Sequence, residues 1–165
     1  MGRTGRMFAY QHYGIQPDIV TMAKGIGNGM TVGAFATTAR IAEALVPGDH
    51  GTTFGGNPLA AAAVSATLDS FRERDILKHV EEVGEYLGRR LQEITVRKDR
   101  AKETRGLGLM RGLELTEEAG PYVLKALERG VIFMSAGANV IRFVPPLVIT
   151  KDHVDEMTAV LEELL

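Results

Sequence analysis

Short apolar runs separated by glycine-rich loops make up the first half of the chain. The runs at 18–23 and 31–38 predict two β-strands, the first of them buried. Asn57 suits a helix N-cap and Pro58 suits a first helical turn, so we expect the alanine-rich run that follows, 59–71, to be helical. Strands followed by a helix indicate one piece of a larger sheet domain.

Helical periodicity dominates the second half. Apolar residues recur at helical spacing over 75–94 and again after Thr150, a suitable N-cap, so an amphipathic helix is predicted at each place. The charged stretch 97–104 is interpreted as a solvated linker, and 105–115 as one strand punctuated by glycines. The remaining predicted elements are a helix at 117–129 and strands at 131–134 and 140–144. This order indicates an α/β fold with two domains, 1–74 and 75–165.

Composition narrows the function without identifying it. The net charge is -2 and basic residues are scattered over the 165 positions, so no nucleic-acid partner is expected. The absence of cysteine excludes disulfides and thiolate metal sites, and it fits a cytoplasmic location. No metal site is expected, because the four histidines do not pair at ligand spacing. No membrane span is expected either, since no apolar run approaches the roughly 20 residues required.

Two loops carry candidate chemistry. Lys24 follows an apolar run and precedes the glycine-rich loop 25–29, so it is expected to be partly desolvated, which favours a neutral, nucleophilic amine. The alternative for Lys24 is a solvated turn. The loop 51–57, with Thr52 and Thr53, leads into the predicted helix and suits a phosphate, or alternatively serves only as a helix-entry turn. A reactive lysine and a phosphate loop together are what a pyridoxal phosphate site requires.

Four segments make the sequence recognisable. They are GRTGRMFA at 2–9, PDIVTMAKG at 17–25, GTTFGGNPLA at 51–60 and RFVPPLVIT at 142–150. In this order they resemble the class III pyridoxal-phosphate-dependent aminotransferases, and within that class the acetylornithine/succinylornithine branch. The resemblance implies the fold type I transferase architecture, with 1–74 as the C-terminal part of the large sheet domain and 75–165 as the small C-terminal α/β domain.

The resemblance also implies roles for individual residues. Lys24 matches the lysine that binds pyridoxal 5′-phosphate as a Schiff base and then moves a proton. Thr53 resembles the threonine that binds the cofactor phosphate of the neighbouring subunit, which implies a homodimer. Thr52 resembles the adjacent residue that helps to hold the substrate. Arg142 matches the arginine that binds a substrate carboxylate, for which a planar guanidinium is suited.

The activity that the resemblance implies is transfer of an amino group from N2-acetylornithine to 2-oxoglutarate, a step of arginine biosynthesis. The chain corresponds to well under half of a family enzyme, and the aspartate that pairs with the cofactor's ring nitrogen is expected a few positions before Met1. Two alternatives stay open. One is an ornithine, 4-aminobutyrate or other ω-amino acid aminotransferase of the same class, and the other is a non-enzymatic fragment that needs a separate N-terminal half.

Overall fold

A computed structural model describes all 165 residues, Met1–Leu165. The chain divides into two compact units. One, here called the N-terminal unit, contains Met1 and Phe8–Asp75; the other, the C-terminal unit, contains Gly2–Met7 and Ile76–Leu165. The segment Gly2–Met7 therefore groups with the later part of the sequence.

The N-terminal unit contains one two-stranded antiparallel sheet, and both predicted strands are present. Its strands and helices are β1 (Ile19–Ala23), β2 (Gly33–Thr37), α1 (Ala39–Ala42) and α2 (Pro58–Glu73), with 3₁₀ turns at Ala9–His12 and Lys24–Ile26. The predicted start of α2 is confirmed, because the Asn57 side chain accepts a hydrogen bond from the Ala60 amide at 3.0 Å. Pro58 fills the first helical position, where no backbone donor is needed.

The prediction of a buried first strand is wrong for this structure. Side chains of β1 alternate between exposed and half-buried, and Ile19 is 53% exposed. On β2, Phe35 is 52% exposed. The only buried apolar side chains of this unit are Ile26 and Ala60, and its two strands pair only with each other.

The C-terminal unit contains a four-stranded, fully antiparallel sheet in the order β3-β4-β6-β5. Its elements are α3 (Ile76–Arg97), β3 (Ala101–Leu107), β4 (Met110–Leu115), α4 (Gly120–Glu128), β5 (Met134–Ala136), β6 (Val140–Phe143) and α5 (Lys151–Leu164). The predicted helices are confirmed, including α5 with Thr150 as its N-cap. Strand β5 begins three residues later than predicted.

The segment from Ala101 to Leu115 is a β-hairpin, so two predictions for it are wrong. The stretch 97–104 is not a linker, because β3 begins at Ala101, and 105–115 is not one strand. Gly106 and Gly108 take φ values of 130° and 52°, which reverse the chain between β3 and β4. Reversal leaves Leu107 exposed, whereas Leu109 is fully buried. In a single strand over 105–115 the two leucines would share one face.

Almost the whole hydrophobic core lies in the C-terminal unit. α3 packs against β3, β4 and α5, and α4 packs against α5 and β5. The largest fully buried side chains all belong to this unit: Leu87, Leu91, Ile94, Leu109, Leu113, Leu115, Ile141, Leu161, Val80, Val154 and Thr158. The Thr158 hydroxyl is satisfied because it donates to the Val154 carbonyl at 2.9 Å.

Candidate active site

Lys24 begins the 3₁₀ turn directly after β1. Its φ is 55°, in the left-handed region that a residue with a Cβ rarely adopts. The turn is held because the Gly27 amide donates to the Lys24 carbonyl at 3.1 Å. Contrary to the expected partial desolvation, the Lys24 side chain is exposed in this structure. A strained backbone thus presents an accessible amine at the end of a strand.

The loop after Lys24 is a tight, glycine-rich turn. Gly27 has no room for a side chain, since a Cβ there would lie 2.4 Å from the Met30 carbonyl oxygen. Gly29 has a φ of 108°, and Asn28 also adopts a left-handed conformation, with φ 45°. The loop borders an open depression lined by Ala23, Lys24, Gly25, Asn28, Gly29, Met30, Thr31 and Val32. Lys24 is the only charged residue of that depression.

The loop before α2 is a side-chain-stabilised turn. The Thr52 hydroxyl accepts a hydrogen bond from the Gly55 amide at 3.2 Å. A Cβ on Gly55 would lie 2.1 Å from Thr52 Cγ2, so a side chain there would displace the Thr52 side chain from this turn. Thr53 is exposed beside this turn, and Phe54 is 79% exposed. The predicted glycine and threonine positions therefore form one exposed turn at the start of a helix.

Arg142 lies on β6 and lines a cavity of about 290 Å³ in the C-terminal unit. Its Nη2 is 3.7 Å from Met134 Sδ, and its Nε is buried without a hydrogen-bond partner. The other residues around the cavity are Leu87, Ile132, Phe133, Met134, Phe143, Val144, Pro145, Pro146, Ile149, His153, Val154 and Met157. None of them is acidic, so the cavity holds an uncompensated guanidinium that suits a carboxylate.

The predicted site residues are divided between the two units. Lys24, Thr52 and Thr53 lie in the N-terminal unit, where α2 contacts the 3₁₀ turn Lys24–Ile26. Arg142 lies in the C-terminal unit. Within the N-terminal unit, the amine suits an aldehyde and the exposed hydroxyl-bearing turn before a helix suits a phosphate. Within the C-terminal unit, the guanidinium of Arg142 suits a carboxylate.

Two half-buried arginines of the C-terminal unit, Arg3 and Arg111, were not predicted as functional residues. Arg3 donates to two backbone carbonyls, and burial lowers the pKa of its guanidinium. Arg111 donates to the carbonyls of Gly84, Gly106 and Gly108, and burial likewise lowers its pKa. The sequence feature that could have pointed to Arg111 is its position just after two closely spaced glycines, Gly106 and Gly108. For Arg3 the feature is its position between the glycines of the GRTGR segment.

Comparison with known proteins identifies the family. A model of the aminotransferase class-III family matches residues 1–165, the whole chain. The chain belongs to the class III aminotransferases. This confirms the resemblance that the four sequence segments indicated. Membership of the class implies pyridoxal 5′-phosphate as the cofactor, and the chemical groups of Lys24 and of the Thr52–Thr53 turn fit that molecule.

Among class III aminotransferases, curated relatives of high similarity are acetylornithine aminotransferases. The protein from Aquifex aeolicus is 44% identical over 165 residues, which are 100% of this chain and 42% of that protein. The protein from Streptococcus mutans is 46% identical over 164 residues, covering 99% of this chain and 43% of that protein. The chain therefore spans well under half the length of the curated relatives it matches.

Solved structures of aminotransferases and of a transaminase confirm the α/β fold. Acetylornithine aminotransferase from Elizabethkingia anophelis superimposes with a TM-score of 0.92 at 30% identity, over 99% of this chain and 42% of that one. Ornithine δ-aminotransferase from Plasmodium falciparum gives a TM-score of 0.92 at 31% identity, with the same two coverages. An S-selective transaminase from Arthrobacter sp. gives 0.93 at 27% identity, over 99% and 41% of the two chains.

Proposed function

We propose that this chain carries the cofactor lysine and part of the substrate site of an aminotransferase that moves an amino group from N2-acetylornithine to 2-oxoglutarate. The observation that supports it most is the exposed amine of Lys24, held at a strand end with a φ of 55° beside an open depression. Relatives named acetylornithine aminotransferase, at 44% and 46% identity, support the choice of donor. The proposed enzyme is a cytoplasmic homodimer.

In this proposal Lys24 holds pyridoxal 5′-phosphate covalently through its Nζ. When bound, the cofactor supplies an electron sink for the substrate carbon that carries the amino group. Once a substrate amine has displaced it from the cofactor, the freed Lys24 Nζ would accept a proton from that carbon and would donate a proton back to the cofactor-bound substrate on its other side. Only a side chain that can exist as both amine and ammonium can perform both steps, which is why arginine could not replace it.

The other proposed roles concern binding. Thr53 donates its hydroxyl hydrogen to the cofactor phosphate bound by a second subunit, and its exposure at the start of α2 makes the hydroxyl accessible. Thr52 helps to hold the substrate with its hydroxyl hydrogen, since its oxygen already accepts from the Gly55 amide. Arg142 lines the cavity and binds a substrate carboxylate through its planar guanidinium.

Reductive trapping of the cofactor tests the assignment of Lys24. The purified chain is mixed with pyridoxal 5′-phosphate, its visible absorption is recorded, and the bond is reduced with borohydride before peptide mapping. We expect a visible band and a pyridoxyl group on Lys24, both lost in Lys24→Ala. The matched control is Lys125→Ala, which removes an exposed lysine of α4. Equal labelling of several exposed lysines, unaffected by Lys24→Ala, would refute the assignment.

Ornithine is a second candidate donor, supported by the similarity to the Plasmodium falciparum ornithine δ-aminotransferase at 31% identity. The two donors differ at the α-amino group, which is acetylated and neutral in one and cationic in the other. Bleaching of the visible band by each donor in turn, at matched concentrations, distinguishes them. Faster bleaching by N2-acetylornithine is expected, and faster bleaching by ornithine would favour the second candidate.

A further inference from the structure

Arg3 fastens the segment Gly2–Met7 to the rest of the C-terminal unit. Its Nη1 donates to the carbonyl oxygens of Leu109, at 3.1 Å, and of Pro145, at 2.6 Å. The Arg3 carbonyl in turn accepts from the Leu109 amide at 2.9 Å. The approach is so close that a Cβ on Gly108 would lie 2.6 Å from the Arg3 carbonyl oxygen. One side chain thus joins the β3–β4 turn to the segment that follows β6.

The segment after β6 has few backbone donors with which to hold itself. Pro145 and Pro146 have no N–H, so neither residue can extend the hydrogen bonding of β6 through an amide. The Pro145 carbonyl is instead held by the Arg3 guanidinium. Both prolines line the cavity that contains Arg142, whereas Arg3 is not part of its lining. A wall of the cavity is therefore held from outside by Arg3.

The two arginines have different hydrogen-bonding states. Arg3 Nη1 is engaged by two carbonyls, and its half-buried guanidinium has a pKa lowered by desolvation. Arg142 has a buried Nε without a partner and an Nη2 that contacts only a thioether sulfur. Arg3 is thus occupied by the protein itself, and Arg142 retains capacity for a ligand.

We propose that Arg3 is a positioning residue for the substrate site, because it fixes Pro145 and thereby sets the width of the cavity in which Arg142 binds a carboxylate. This inference rests on the proposed function, which assigns carboxylate binding to Arg142. Geometry within a binding site is sensitive to displacements of about 1 Å, so release of Pro145 weakens binding without removal of any group that touches the ligand.

Calorimetric titration of the purified chain with 2-oxoglutarate tests the proposal. Arg3→Met keeps the aliphatic stem but removes the hydrogen bonds to both carbonyls, and it is expected to raise the dissociation constant about tenfold. Arg3→Lys retains an ammonium that reaches one of the two carbonyls, so binding is expected to recover in part. Arg6→Met is the matched control, because Arg6 lies exposed in the same segment, and it should bind as the unaltered chain does.

A spectroscopic readout separates positioning from general stability. The Nε–Hε resonance of Arg142, assigned by its loss in Arg142→Met, reports the environment of the unpaired donor. We expect this resonance to shift in Arg3→Met and in Arg3→Lys but not in Arg6→Met. A general loss of stability would lower the melting temperature without moving the resonance of the folded protein. If Arg3→Met does not fold, Arg3→Lys alone decides through its dissociation constant and its Arg142 resonance.

The possible results distinguish this inference from the proposed function. If the unaltered chain binds 2-oxoglutarate, Arg142→Met does not, and both Arg3 variants bind as well as Arg6→Met does, the positioning role is refuted and the carboxylate site stands. If 2-oxoglutarate does not bind the unaltered chain, or binds equally to Arg142→Met, the carboxylate assignment of Arg142 fails, and the role of Arg3 fails with it.

Discussion

Gly84 of α3 lies so close to Gly108 in the β3–β4 turn that a Cβ on Gly84 would be 2.4 Å from the Gly108 carbonyl carbon. Arg111 secures this contact, because its Nη2 donates to the Gly84 carbonyl at 3.0 Å and its Nε donates to the Gly108 carbonyl at 3.1 Å. The helix and the hairpin are therefore joined backbone to backbone, and a glycine at position 84 is what permits it.

We predict that Gly84→Ala lowers the free energy of unfolding of the C-terminal unit. A methyl group would have to displace backbone atoms, and such overpacking costs about 1–3 kcal/mol. The better helix propensity of alanine offsets about 1 kcal/mol of that cost. Urea denaturation followed by circular dichroism at the helix wavelength measures the difference.

Gly120→Ala in α4 is the control for this substitution. Gly120 is the first residue of α4, so its gain in helix propensity is smaller than that of Gly84, and a Cβ at Gly120 meets nothing within 4 Å. We therefore expect Gly120→Ala to be neutral or to stabilise by up to about 1 kcal/mol. Equal stability of the two variants would show that the contact between Gly84 and Gly108 is not tight in solution.

Glu114 gives the sheet a pH-dependent stability. Its carboxylate accepts hydrogen bonds from Lys102 at 2.6 Å and Arg105 at 2.7 Å, and these bonds lower its pKa from 4.5 to about 2. Since the folded pKa is depressed, the stabilisation is present above pH 4.5 and is lost as the pH falls from 4.5 toward 2. We predict a decrease in the free energy of unfolding over this window that is smaller in Glu114→Gln.

Glu82→Gln is the matched control for the pH series. Glu82 is 61% exposed and its nearest cationic nitrogen, on Lys78, is 3.9 Å away, so its contribution to stability should be small. The side chain of Glu114 is only 15% exposed and has two cationic partners. Urea midpoints at intervals between pH 2 and 5 for the three proteins provide the measurement. Identical pH dependence in Glu114→Gln and the unaltered chain would contradict the assignment.

Lys24 adopts a backbone conformation that costs stability. Its φ of 55° places its Cβ close to the following carbonyl, at a cost of about 1–2 kcal/mol for a residue other than glycine. We predict that Lys24→Gly unfolds at a higher temperature than Lys24→Ala, because glycine removes the strain and alanine keeps it. Both variants are expected to lose covalent cofactor binding. If Lys24→Gly melts at the same temperature as Lys24→Ala or at a lower one, the conclusion that the backbone at position 24 is strained is contradicted.

The sequence was most informative where a local signal and the fold agree. The N-caps Asn57 and Thr150 both mark helix starts, because capping depends on neighbouring residues only. The periodicity of α3 identified its buried face for the same reason. The hairpin was missed because alternation continues through Leu107 and Leu109, and only the positive φ values of Gly106 and Gly108 reveal the reversal.

Features that depend on distant parts of the chain were not predictable. Burial of β1 was expected from its apolar composition, but burial requires a covering layer, and composition does not supply one. Lys24 was found from its local setting and its family motif, yet its left-handed backbone was not foreseen. The role of Arg3 depends on the carbonyls of Leu109 and Pro145, which follow Arg3 by 106 and 142 positions in the chain. No local sequence pattern indicates contacts between residues so far apart.

The unequal cores of the two units predict unequal protection from hydrogen exchange. Every large side chain that is fully buried lies in the C-terminal unit, whereas β1 and β2 pair only with each other and have exposed or half-buried faces. The free energy of opening a two-stranded sheet is small, because few apolar contacts are lost when it opens. We therefore expect the amides of β1 and β2 to exchange at least about tenfold faster than those of β4 and β6, as a difference of about 1.4 kcal/mol in opening free energy implies.

Mass spectrometry of peptides after timed exchange measures this difference in exchange rate, with α2 as an internal reference for the N-terminal unit. Equal protection of the two sheets would contradict the expectation.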